Sequence, residues 1–191
     1  MSQIKLSSNA SGTGVFTLES PATNTNRTLT LPDNTGTILT SATTTGFPAG
    51  SVIQVVSASL SGGSVTSASA TFADTGLSAS ITPTSSSSKI LVLVNHNGCG
   101  KEVGNTFLQV RLLRGSTTIS NIERQGGYTA NTGANWFGGV SISYLDSPAT
   151  TSSTTYKTQL ANQAASGTVY INTAQGGENT MSTITLMEIA A

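Results

Sequence analysis

The chain has 191 residues, of which 8% are charged, and its eight basic and eight acidic side chains cancel. An average soluble domain carries roughly 25% charged residues. With no excess of basic groups to neutralise phosphates, sequence-independent nucleic-acid binding is excluded.

Reading from the N-terminus, Met1-Ser2-Gln3-Ile4-Lys5-Leu6 lacks an apolar signal core, so synthesis in a cytoplasm without standard export is expected. Three short apolar/polar alternations follow within residues 14–39. They carry Phe16 with Leu18, then Leu29 with Leu31, then Ile38 with Leu39, separated by a Ser-Pro corner and a Pro-Asp-Asn-Thr-Gly turn. Those six apolar groups are too few for a core of their own. Residues 1–45 therefore read as an arm whose strands bury against sister subunits or a host structure. Gly46-Phe47-Pro48-Ala49-Gly50 punctuates the chain as a hinge, because Gly and Pro break regular structure.

Residues 51–191 read as one β unit. Thr, Val, Ser and Gly dominate, and no long window repeats at helical spacing. Short strands separated by turn signals are predicted at 51–58, 68–73, 77–83, 88–96, 106–114, 117–122, 138–146, 154–161, 168–173 and 181–189. Ten strands at this spacing suit a sandwich or jelly roll. No apolar run approaches the roughly 20 residues of a membrane-spanning helix. The one cysteine, Cys99, excludes an internal disulfide and a multi-cysteine zinc site.

Two strands are apolar on both faces. In Lys89 to Val94, Ile90, Leu91 and Val92 leave no polar side. In Thr183 to Ile189, Ile184 and Leu186 point one way while Met187 and Ile189 point the other. A sandwich strand normally buries one face. The second face is covered either by a loop or by a subunit interface, and the interface is the favoured expectation.

The chemistry-bearing residues gather in two predicted loops, 97–105 and 123–137. His96, Cys99 and Glu102 offer three metal-ligating types without an evident fourth; the plainer reading is a half-buried histidine and a small buried cysteine. There is no Gly-x-Ser-x-Gly elbow, and Gly100-Lys101 runs into Glu102 rather than the Ser or Thr of a phosphate loop. Glu123 and Asp146 are the acids nearest the loops, a thin basis for glycoside cleavage. No catalytic site, cofactor or metal is expected. Tyr128 and Trp136, among Asn131 and Asn135, either grip a sugar face or, for Trp136 and Phe137, fill the core.

The pieces Thr17-Leu18-Glu19-Ser20-Pro21, Asn26-Arg27-Thr28-Leu29-Thr30-Leu31-Pro32-Asp33 and Thr35-Gly36-Thr37-Ile38-Leu39 resemble N-terminal repeats of tail-fibre-like virion proteins of tailed bacteriophages, notably phages of aquatic bacteria and cyanobacteria. Downstream, Gly50 to Val55, Ile81 to Ile90, Thr155-Tyr156-Lys157, Ser166 to Asn172 and Ser182 to Glu188 resemble the module found with those repeats. The resemblance implies a homotrimeric virion surface protein with a jelly-roll head similar to tumour-necrosis-factor-like trimers. In that picture the arm docks to other virion proteins through the six apolar residues above. The head projects outward as a short tail fibre or receptor-binding tip, contacting a host surface glycan through Tyr128, Asn131, Asn135 and Trp136. Because the arm has no long shaft, a capsid decoration protein is the alternative. A glycan depolymerase and a free carbohydrate-binding module rank lower.

Overall fold

The computed structural model describes residues 47–164 and 166–191, together with 11–15, 17, 22, 24–26 and 28. Contacts divide the chain into two units, Met1–Gly36 and Thr37–Ala191. Phe16, Leu18, Leu29, Leu31, Ile38 and Leu39 all lie outside the described residues.

The second unit is all-β, with no helix among the described residues. Its strands are β1 (Val52–Ser61), β2 (Val65–Ser67), β3 (Ala73–Ile81), β4 (Lys89–Lys101), β5 (Leu108–Arg114), β6 (Thr117–Gly126), β7 (Asn135–Asp146), β8 (Thr154–Asn162), β9 (Val169–Ile171) and β10 (Met181–Ile189). They form two antiparallel sheets. The larger runs β1-β10-β4-β9-β2, with β7 paired to the other edge of β4; the smaller runs β3-β8-β5-β6.

The sheets face one another across a core in two clusters. The first joins Leu77, Ile81 and Tyr156 of the smaller sheet to Ile90, Val92, Ile184 and Leu186 of the larger. The second surrounds Cys99, Leu108, Val110, Leu160 and Ile171. Ile90, Val92, Ile184 and Leu186 were expected at a subunit interface, and this is corrected: each is fully buried within the single chain. Their period-two alternation aims them at the opposite sheet.

Strand bounds also differ from expectation where local chemistry intervenes. Residues 68–72 of the predicted strand 68–73 are irregular, and only Ala73 is strand, because Ser67 and Ser69 hydroxyls accept the backbone N–H groups of Ser69 and Thr71 at 3.2 and 3.0 Å. Such side-chain bonds replace ladder bonds. Conversely, most of the predicted loop 97–105 is strand. β4 continues to Lys101 through a register break at Gly98, where φ is +61° and an added Cβ would strike the Thr173 carbonyl oxygen. Only glycine tolerates both.

Candidate functional site

The outward face of the larger sheet follows from its registers. Val55 pairs with Met187, Met187 with Leu91, and Leu91 with Leu145. One apolar row therefore crosses β1, β10, β4 and β7 on the side away from the core. Val52 sits opposite Ile189 beside it, and Leu93 lies one row further on. Val52, Val55 and Leu145 are 51%, 55% and 54% exposed, and Leu91, Met187 and Ile189 are half-buried. Along this face, charge is confined to Lys89 at the margin, whose Nζ donates to Ser147 Oγ at 3.0 Å. A contiguous apolar patch on a sheet face is the mark of an interaction surface.

The smaller sheet turns a different face outward. Lys157 Nζ and Gln159 Nε2 donate to the two Asp74 oxygens at 2.7 and 2.6 Å, holding that carboxyl below its ordinary range. Arg111 donates to Gln159 Oε1 at 2.9 and 2.6 Å and lies 4.0 Å over the Phe72 ring. One outer face is apolar and the other charged. The molecule is two-sided.

The four residues expected to contact a receptor have different surroundings. Tyr128 is 49% exposed and meets Phe107 edge-on at 6.0 Å. Trp136, on β7, instead stacks against Tyr170 at 5.2 Å and lies across Gly100, where an added Cβ would come within 2.5 Å of the indole. Asn131 is exposed, and Asn135 Nδ2 donates to the Gly127 carbonyl at 3.1 Å. Trp136 and Phe137 also part company: Trp136 is half-buried beside Tyr170, and Phe137 packs against the second core cluster.

Lys101 was not anticipated. Its side chain is fully buried, and Nζ donates to the carbonyls of Val103 (2.9 Å) and Thr132 (3.2 Å) and to the Thr129 hydroxyl. Burial pushes the amine below its ordinary range. The ammonium thereby ties the segments after β4 and β6 together through backbone dipoles. Replacing it by Met should leave the strands formed but raise amide exchange across 128–133 by about tenfold or more, read by hydrogen–deuterium exchange. Unchanged exchange there would show that these segments hold without the lysine.

His96 and Cys99 point inward. His96 Nε2 lies 3.0 Å from Thr158 Oγ1, and the Cys99 thiol, buried and pushed up to about 12, donates to the His96 carbonyl at 3.7 Å. Glu102 is exposed. Among the described residues, no three His, Cys, Asp or Glu side chains are grouped to hold a metal. Asp146 spends both oxygens on Arg114 and Oδ2 also on the Tyr156 hydroxyl, so it is not free to act with Glu123 on a glycoside.

No protein-family model and no curated sequence matches this chain.

The apolar face was half legible in the sequence. The sequence shows Met187 and Ile189 pointing opposite to Ile184 and Leu186, but it groups Leu91 with Ile90 and Val92 and does not choose between the two sides. Val52, Val55 and Leu145 were missed, since each sits in a strand whose other outward residues are largely hydroxylic. Only the register shows that they line up.

Proposed function

We propose that this chain is a structural protein of a bacteriophage virion, a short tail fibre or receptor-binding tip, with a homotrimeric jelly-roll head. The observation that carries the reading is the row Val55–Met187–Leu91–Leu145 across four strands of the larger sheet. A second copy of the chain is the occupant that suits it. The face carries almost no charge and the chain has no net charge, so copies meet without electrostatic penalty. The resemblance of residues 17–39 to virion fibre repeats supports the same reading.

Light scattering at nanomolar concentration should return a mass about three times that of the chain, since an obligate interface survives dilution. Val55→Asp with Leu145→Asp should give folded monomer. Both side chains are more than half exposed in the single chain, so the head itself should tolerate the change. A wild-type protein that runs as a folded 19.3 kDa monomer overturns the assembly reading. Gold-labelled protein on the capsid faces rather than at the tail would replace the tail-fibre reading by capsid decoration.

A further inference from the structure

A site of different character lies on the smaller sheet, where β5 and β6 fall out of register. Between the pairs Leu108↔Gly126 and Val110↔Glu123, β5 contributes only Gln109, while β6 contributes both Arg124 and Gln125. This is a β-bulge, a device that re-aims side chains. In a regular strand successive side chains point to opposite faces. Here the consecutive residues Glu123, Arg124 and Gln125 all line one cleft, which Phe107, Gln109 and Gln163 complete, enclosing about 760 Å³ open to solvent.

Several of its walls are set before any ligand arrives. Glu123 Oε1 accepts the backbone N–H groups of Arg124 and Gln125 at 2.8 and 2.9 Å, which orients the carboxylate. Gln109 Nε2 donates to the Arg124 carbonyl at 3.0 Å. Phe107 is braced edge-on by Tyr128, whose hydroxyl donates to Asn105 Oδ1 at 3.1 Å. Gln125 and Gln163 are exposed at the rim.

The chemistry of this lining is specific. The carboxylate and the guanidinium cancel, so the cleft has no net charge to select an ion. Amides both donate and accept hydrogen bonds, as hydroxyl groups do, and a carboxylate beside a guanidinium supplies one strong acceptor and one strong donor. An aromatic ring offers an apolar plane to the C–H face of a pyranose. We propose that the cleft binds a neutral carbohydrate, with Phe107 under one sugar ring and Glu123, Arg124, Gln125 and Gln163 reading its hydroxyls. Tyr128 then acts as a positioning residue for Phe107. Glu123 is the one carboxylate among the lining residues, whereas glycoside cleavage uses two at about 5–10 Å. The ligand is bound and released intact.

The test uses the full chain on an array of neutral oligosaccharides built from glucose, galactose, mannose and N-acetylglucosamine, with uronate- and sialate-containing ones alongside. Each hit is then titrated as a soluble sugar, so that multivalency does not enter. Retention of a neutral oligosaccharide is expected, with about tenfold or greater loss of affinity in Gln125→Ala/Gln163→Ala at unchanged melting temperature. Retention of acidic sugars alone, of no sugar, or equal binding by the double variant overturns the proposal. The Val55→Asp/Leu145→Asp protein should bind the soluble sugar as well as wild type, so failure of assembly and failure of this site are read separately.

Discussion

Asp146→Ala should lower the stability of the head by about 3 kcal/mol, equivalent to a fall of about 10 °C in melting temperature for a unit of this size. Asp146 ends β7 in the larger sheet, and its partners belong to the smaller one. Arg114 Nη1 donates to Oδ1 and Oδ2 at 3.0 and 2.8 Å, and the Tyr156 hydroxyl donates to Oδ2 at 2.6 Å. Tyr156 is fully buried; burial, with the carboxylate holding its proton, keeps the phenol well above its ordinary range. Removing the carboxylate strands a buried hydroxyl and a guanidinium at once. The figure is set at the low end of the roughly 3–5 kcal/mol for a broken buried pair, because the Arg114 side chain is 32% exposed and partly screened. Asp146→Asn keeps an acceptor for Tyr156 and should cost less. Tyr156→Phe should cost only about 1–2 kcal/mol. Urea denaturation of the three variants checks the order, and an Asp146→Ala protein melting with wild type would show that the sheets are not joined there.

Acidification should weaken the head through His96. Burial holds this imidazole at about 4 against an ordinary 6.5, so it is neutral in the fold. Between those values the unfolded chain binds the proton and the folded one does not. Stability from this group is therefore complete above pH 6.5, declines as pH falls, and levels out below about 4. The shift corresponds to roughly 3 kcal/mol. The other participants are hydroxyls: Thr158 Oγ1 lies 3.0 Å from Nε2 and 2.6 Å from Thr75 Oγ1. Glu188 adds a loss at lower pH. Burial raises its carboxyl, but hydrogen bonds from Gln54 and Thr84 outweigh that and hold it below 4.5, so its contribution fades only as pH falls further. Urea midpoints across the window should fall steeply for wild type and stay nearly flat for His96→Gln. Parallel slopes for the two proteins would remove His96 as the cause.

Strand positions were legible wherever alternation was strong. Met181–Ile189 matches its predicted bounds because Ile184 and Leu186 alternate with Thr and Met without interruption. Residues 68–73 misled for the opposite reason: serine hydroxyls captured the backbone, and composition alone does not say which hydroxyls will do so. Strand β4 was cut short because Gly98 and Gly100 look like loop residues. In the fold, one permits the bulge and the other gives Trp136 room. The parity of β4 and β10 was readable, but not which apolar side faced inward. Ile90 and Leu91 are equally apolar, and only the opposite sheet decides between them.

The cleft was harder to see. Glu123, Arg124 and Gln125 are three polar residues in a row, which in a sequence reads as a loop rather than a lined wall. Phe107 and Gln163 stand far from them along the chain and meet them only through the β5–β6 and β5–β8 pairings. Tyr128 is expected from the sequence to grip a sugar face directly, whereas in the fold its ring meets Phe107 edge-on.

Cys99 has a practical consequence. It is the chain's sole thiol, it is inaccessible in the native state, and it sits in the cluster formed by Leu108, Val110 and Leu160. A thiol reagent can react only when that half of the sandwich opens, so the labelling rate is a clock for its excursions. Without any engineered probe, one reaction timed with and without a bound sugar measures how far occupancy of the cleft slows the breathing of the strands beneath it.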